Sequence, residues 1–275
     1  MQPRFEQVEQ VLREAHGLLE GPTWTDAGVA FSDVMLGGVW VIDDDGEVRQ
    51  ILERRRGIGG IVALNDGGLA VSGRDISLVH DGELSTLHED PASCGFNDIA
   101  ADNDGNLLAG VLRYRPLHGD EPVPGELIRI DAGGKSETVA EDIIWPNGIA
   151  MRPDGTILIS DFSRRHVKAV PAGGGDAEVF FELVEGSPDG LALDSRGGLW
   201  VAGGPAGNLT RVDTDGSIDK VVDVPANFVS SLCFAGPWLD EIQVTTADNL
   251  VQPELGGTVL TVNLGTPGAV VPRAF

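Results

Sequence analysis

Four short stretches of the chain carry side chains that could do chemistry together. They are Glu20-Gly21, Asn97-Asp98, Asn147-Gly148 and Asp189-Gly190, each placed just ahead of a short apolar run. Glu20, Asn97, Asn147 and Asp189 are all oxygen donors, two carboxylates and two carboxamides. Such a set suits one hard divalent cation, calcium first, with magnesium or manganese as alternatives and water completing the shell. Zinc fits less well without His or Cys ligands. Two carboxylates brought side by side without a cation would repel and raise each other's pKa. Taken singly, Asn-Gly and Asp-Gly are turn formers and Glu20 is an ordinary surface acid. Their shared position in a repeat is what singles them out.

That repeat is visible along the chain. Residues 61–72, 99–110, 149–160 and 191–202 align as a short apolar strand, an Asp/Asn/Gly turn and a second apolar strand. A third strand, another turn and a fourth strand follow, as in Ser77 to Leu87. Four hairpin-linked strands per unit is the pattern of a propeller blade. Innermost strands are expected to begin near Gly21, Gly59, Asn97, Asn147, Asp189 and Val229, at spacings of 38, 38, 50, 42 and 40 residues. The reading is therefore all-β: a six-bladed β-propeller of four antiparallel strands per blade, one domain over residues 1–275. The long third interval places an insertion over residues 113–124. Residues Phe5 to Leu12 are expected to supply the outer strand of the last blade and close the ring, leaving no exposed sheet edge. An amphipathic helix over Glu6 to Glu20 is the alternative for that stretch.

Composition narrows the function classes. The 275 residues hold 43 Asp and Glu against 19 Lys and Arg, a net charge of −24. A surface so acidic repels phosphate backbones, and Arg54-Arg55-Arg56 is too short a basic stripe to reverse this, so no nucleic-acid partner is expected. No apolar run approaches the ~18 residues of a membrane helix. The first residues lack the apolar core of a secretory signal. Cys94 and Cys233 make no disulfide framework and read as buried free thiols. A cytoplasmic protein, monomeric or weakly homo-oligomeric, is expected. Nucleophilic alternatives are weak: there is no Gly-x-Ser-x-Gly elbow. None of His16, His80, His88, His118 and His166 starts an inner strand; His80 is read as strand, His88 and His166 as turn, and only His118, in the insertion, could reach the mouth.

With four motifs in register, the sequence resembles the family of gluconolactonases, regucalcin and luciferin-regenerating enzymes. The residues carrying the resemblance are Leu19 to Trp24, Phe96-Asn97-Asp98, Pro146 to Ala150 and Pro188 to Ala192. The resemblance implies a six-bladed propeller with one divalent metal in its channel. It implies Glu20, Asn147 and Asp189 as metal ligands, and Asn97 as a substrate contact or further ligand. Asp189 would also be the catalytic proton donor and acceptor. Trp145 and Arg113 could line the mouth and contact substrate. The implied activity is metal-dependent opening of a lactone or ester ring. A phosphotriesterase-like hydrolase, a non-catalytic calcium-binding propeller, and an isomerase or lyase using the same ion are the alternatives. One departure stands out: Gly95 occupies a position that is usually basic in sugar-lactone members, which argues against a clamp on sugar hydroxyls.

Overall fold

The computed structural model describes residues 3–7, 11 and 16–275. Six four-stranded antiparallel sheets are arranged as the blades of a propeller. Their innermost strands are Leu19–Thr25, Ile61–Ala63, Gly95–Ala101, Pro146–Met151, Leu191–Leu193 and Val229–Ala235. All six fall within a few residues of the starts expected from the repeat. Within each of the first five blades, strands follow chain order from the channel outward. The sixth blade takes its outer strand from the other end of the chain, where Glu6–Gln7 pairs with Val259–Val262. This closes the ring with residues of the Phe5 to Leu12 segment, as expected. Residues 8–10 and 12–15 lie outside the described residues. The alternative helix does not extend over its two ends, since Glu6–Gln7 and Leu19–Thr25 are strands, whereas Val11 between them is helical.

Local sequence explains the hairpins. At the blade-three turn, Asp102 accepts the backbone N–H groups of Asp104 and Asn106, and Gly105 supplies the left-handed φ of 83°. The same device recurs at Asp194, which accepts from Arg196 and Gly198. Many of the 26 Asp residues therefore belong to turns. His88 and His166 close and open strands, correcting their reading as turn residues. The 113–124 insertion carries one short 3-10 turn, Pro116–His118.

The hydrophobic core is a ring of layers between neighbouring blades. Phe96, Ile99 and Leu107 of the third blade pack with Val62, Ala70 and Ile76 of the second. Trp200 and Leu209 of the fifth meet Phe234 and Ile242 of the sixth. At the seam, Val259 of the last blade packs on Leu19, Phe31 and Ile42 of the first. Burying these faces between blades, rather than around a centre, leaves the channel for polar groups. The twelfth position of each repeat, Ser72, Gly110, Ser160 or Ala202, is small; at Gly110 and Ser160 it faces the next blade's innermost strand, and at Ser72 it bonds the start of its own. Ser160 Oγ donates to the Asp189 carbonyl at 2.8 Å, and Ser72 Oγ accepts from Gly59 and Gly60. A Cβ at Gly110 would lie 2.8 Å from Pro146 Cβ.

Candidate active site

The inner strands reach the channel mouth through irregular backbone. Register breaks occur between Glu20 and Thr23, Phe96 and Ile99, Pro146 and Ile149, and Val229 and Ser231. Bulges turn side chains away from the regular alternation. Asn97, Asp98 and Asn147 sit inside such breaks, and Glu20 at the edge of one. In the fifth blade Asp189 precedes the regular ladder and is tied to it by its N–H, which donates to the Ala202 carbonyl at 2.8 Å.

The four predicted donors come to one end of the channel. Glu20, Asn147 and Asp189 are buried, and Asn97 is half-buried. Asn147 hydrogen-bonds the Asp189 carboxylate. Asn97 Nδ2 donates to the Pro146 carbonyl at 3.0 Å, which assigns its Oδ1 as the group left for the channel. The side chain of Asp98 joins them and was not singled out by the repeat. Its carboxylate accepts from the Ile99 N–H at 2.8 Å and from Ile149 of the next blade. The signal that could have marked it is a substitution. The corresponding position is Gly21, Gly148 or Gly190 in other blades, because a Cβ at Gly148 or Gly190 would strike the neighbouring strand. The second blade makes room from its side, with Gly59 against Asn97 and Gly60 against Asp98.

Electrostatics at this end are unfavourable to three free carboxylates. Burial, then the charges of Asp189 and Asp98, push Glu20 well above the ordinary carboxylate range. Burial and the Asp98 charge do the same to Asp189, against the Asn147 hydrogen bond. Asp98 is pushed up to about 7 by burial, with its two backbone donors opposing. Asp189 Oδ1 is a buried oxygen with no hydrogen-bond partner. A buried acceptor left in this state is costly unless another group engages it. Among the described residues no three His, Cys, Asp or Glu side chains form a metal-binding group by themselves. The carboxamides of Asn97 and Asn147 are therefore needed to complete a cation's shell.

Trp145 stands at the rim, two residues before Asn147, with its ring 4.5 Å from that of Phe162. Arg113 is engaged by Asp90 at 2.7 Å and by Glu126, so both its terminal nitrogens are occupied. Tyr114 is buried behind it and meets Ser163 Oγ of the next blade at 3.1 Å. At Gly95 φ is +127°, and a Cβ would lie 2.8 Å from the Gly73 carbonyl oxygen. The backbone itself keeps a side chain from this corner. Beyond the carboxylate layer lies a cavity of ≈ 400 Å³, bordered by Asp98 and lined at its far end by Ala269–Arg273. Cys233 lines that cavity, and burial pushes its thiol up to about 12. Cys94 is exposed, which corrects its reading as a buried thiol.

A closed six-bladed propeller with an acidic, amide-flanked site in its channel defines the class of protein. Residues 18–248 match the family described as the SMP-30/gluconolactonase/LRE-like region, and the chain belongs to it. The 6-deoxy-6-sulfogluconolactonase of Pseudomonas putida is 28% identical over 97% of this chain and 98% of its own. The pentonolactonase of Haloferax volcanii is 29% identical over 87% of this chain and 85% of its own. The crystal structure of regucalcin from Agrobacterium tumefaciens, described as a calcium-binding protein, superposes with a TM-score of 0.86 at 21% identity. It covers 100% of this chain and 98% of that one.

Proposed function

We propose that this protein is a divalent-metal-dependent lactonase working at the channel mouth. One observation carries the reading: two buried carboxylates, the half-buried Asp98 and two carboxamides converge there, with a buried Asp189 oxygen lacking any partner. Family membership and two full-length lactonase relatives supply the reaction class. Glu20, Asn147 and Asp189 would hold the ion, with Asn97 Oδ1 as a further ligand or a substrate contact. The donors are all oxygen, so calcium is the first choice, before manganese, magnesium or zinc. When bound, such an ion supplies Lewis-acid polarisation of a carbonyl and acidification of water.

The chain's own groups do the rest. Asn97 orients the lactone at the rim, its Nδ2 anchored on Pro146. Asp189 takes a proton from the attacking water at a carboxylate oxygen and returns it to the ring oxygen as that bond breaks. Asn147 holds the Asp189 carboxylate in place. Asp98, one layer deeper, adds negative charge that keeps Asp189 a stronger base than an ordinary carboxylate. Trp145 and Arg113 form parts of the rim, Arg113 shaping it through Asp90 and Glu126 rather than through a free guanidinium.

The test is a panel of lactones, aryl esters and organophosphates assayed with calcium, manganese, magnesium and zinc and after chelation. Lactone turnover that disappears on chelation and returns with one of these ions is the expected result. Full activity in metal-free protein would overturn metal dependence. Turnover of phosphotriesters alone would replace the lactonase reading.

A further inference from the structure

Three aromatic side chains at the mouth have no part in the chemistry above. Trp145 precedes Pro146 and Asn147 at the start of the fourth blade. Phe162 lies in the loop between that blade's second and third strands, its N–H donating to the Trp145 carbonyl at 3.1 Å. Phe228 immediately precedes the inner strand of the sixth blade. The Trp145 and Phe162 rings have centroids 4.5 Å apart at 48°. Phe162 and Phe228 are closer to parallel, at 29°, but 6.5 Å apart. The Phe162 ring also runs over Gly204 of the fifth blade, 3.3 Å from where a Cβ would stand. Gly204 pairs with Val229, and its would-be Cβ also meets the Ser187 carbonyl, two residues before Asp189. The three rings therefore arc across blades four, five and six, on the side of the mouth that carries Asn147 and Asp189.

All three are partly exposed, in a chain where aromatic residues are only 5% of the total. At 6.5 Å the faces of Phe162 and Phe228 are not fully covered by each other, so apolar face remains open beside the site. The opposite side of the mouth contributes Gly59, Gly73 and Gly95, and an Arg113 whose terminal nitrogens are already occupied. A polyhydroxylated substituent would find the exposed Arg74, beside Gly95, as its donor there. A flat apolar one would find ring faces on the other side.

We propose that the substrate is a lactone bearing a flat apolar substituent, an aryl group or its like, which packs against the Trp145–Phe162–Phe228 arc while the lactone carbonyl points to Asn147 and Asp189. The proposal rests on the lactonase reading for the carbonyl end, whereas the arc itself is a binding surface that can be measured without turnover.

The probes are γ-phenyl-γ-butyrolactone, unsubstituted γ-butyrolactone and glucono-δ-lactone. The phenyl lactone is expected to exceed both others in kcat/KM by about tenfold, the scale of one good aromatic contact. Phe162→Ala should bring that preference to within about twofold, while changing kcat/KM for γ-butyrolactone by less than about threefold. Should Phe162→Ala fail to fold, as judged by circular dichroism, Phe228→Ala carries the same expectation. A preference for glucono-δ-lactone, no preference, or a phenyl preference that survives both truncations overturns the proposal. If no lactone is opened, the hydrolase reading has failed and the arc is judged by calorimetric titration with the ring-opened phenyl hydroxy acid. Saturable binding weakened about tenfold by Phe162→Ala supports the arc; absent binding, or equal binding of the unsubstituted hydroxy acid, overturns it.

Discussion

Asp189 combines three properties at one residue: a buried carboxylate, an oxygen without a hydrogen-bond donor, and Asn147 holding it. Asp189→Asn keeps the shape and removes both the charge and the basicity. Turnover is expected to fall by about 10²–10⁴, with the circular dichroism spectrum unchanged. Wild-type rates in the variant would remove Asp189 from proton transfer. Asp98 makes a different prediction. Its carboxyl is raised from 3.8 to about 7, so in metal-free protein the folded state keeps a proton that the unfolded chain has lost. The stability this contributes is complete below about pH 4 and is lost as pH rises through about 7. Asp98→Asn removes that dependence. In thermal melts with chelator, its melting temperature relative to wild type should therefore rise between pH 5 and pH 8. A gap that stays constant would mean that Asp98 is ionised without penalty.

The site depends on how closely neighbouring inner strands approach. A Cβ on Gly148 would stand 2.3 Å from the Asp189 carbonyl oxygen and 2.6 Å from the Leu191 nitrogen. Both are backbone atoms that cannot swing aside. Gly148→Ala is expected to destabilise by about 1–3 kcal/mol, the usual range for forced overpacking, and to lower activity by displacing Asp189. Gly173→Ala, with open space around it and no left-handed φ, is the matched control and should be near neutral. Equal melting temperatures for the two variants would show that the strands can part. Much of this element-level design was legible in the repeat of strand, Asp/Gly turn and strand. The bulges that bring Asn97, Asp98 and Asn147 into the channel were not. A bulge is a mismatch between two paired strands, and one strand's residues do not record it.

At the scale of the whole molecule, the charge of −24 has two parts. Much of it sits in turns and on the surface, where the like charges repel in the folded state. Salt shortens the screening length from about 10 Å at 0.1 M to about 3 Å at 1 M, so the melting temperature should climb over that range. A flat or falling curve would show that the surface carries no net strain. The smaller part is the channel trio of Glu20, Asp98 and Asp189, two buried and one half-buried, which added salt screens much less. A cation binding only the folded state at 100 times its Kd should add about 2.7 kcal/mol of stability. Adding the active ion to chelated protein, at constant ionic strength, should therefore raise the melting temperature above the monovalent-salt curve. Coincident curves would mean that no specific cation is held.

The sequence by itself determined the architecture, the blade count, the closure by N-terminal residues and four of the five polar side chains at the mouth. It could do so because a propeller repeats one local unit, and period-two strands and Asp/Gly turns are written in neighbouring residues. What only the tertiary structure decided depends on residues far apart in the chain. Asp98 acts on the charges of Glu20 and Asp189 because blades one and five bring them to it. Arg113 lost its free guanidinium to Asp90 and Glu126, 23 and 13 residues away. Trp145, Phe162 and Phe228 became one surface because a closed ring sets three blade tops side by side. Burial and charge proximity set the chemistry of this channel, and both exist only once the ring has closed.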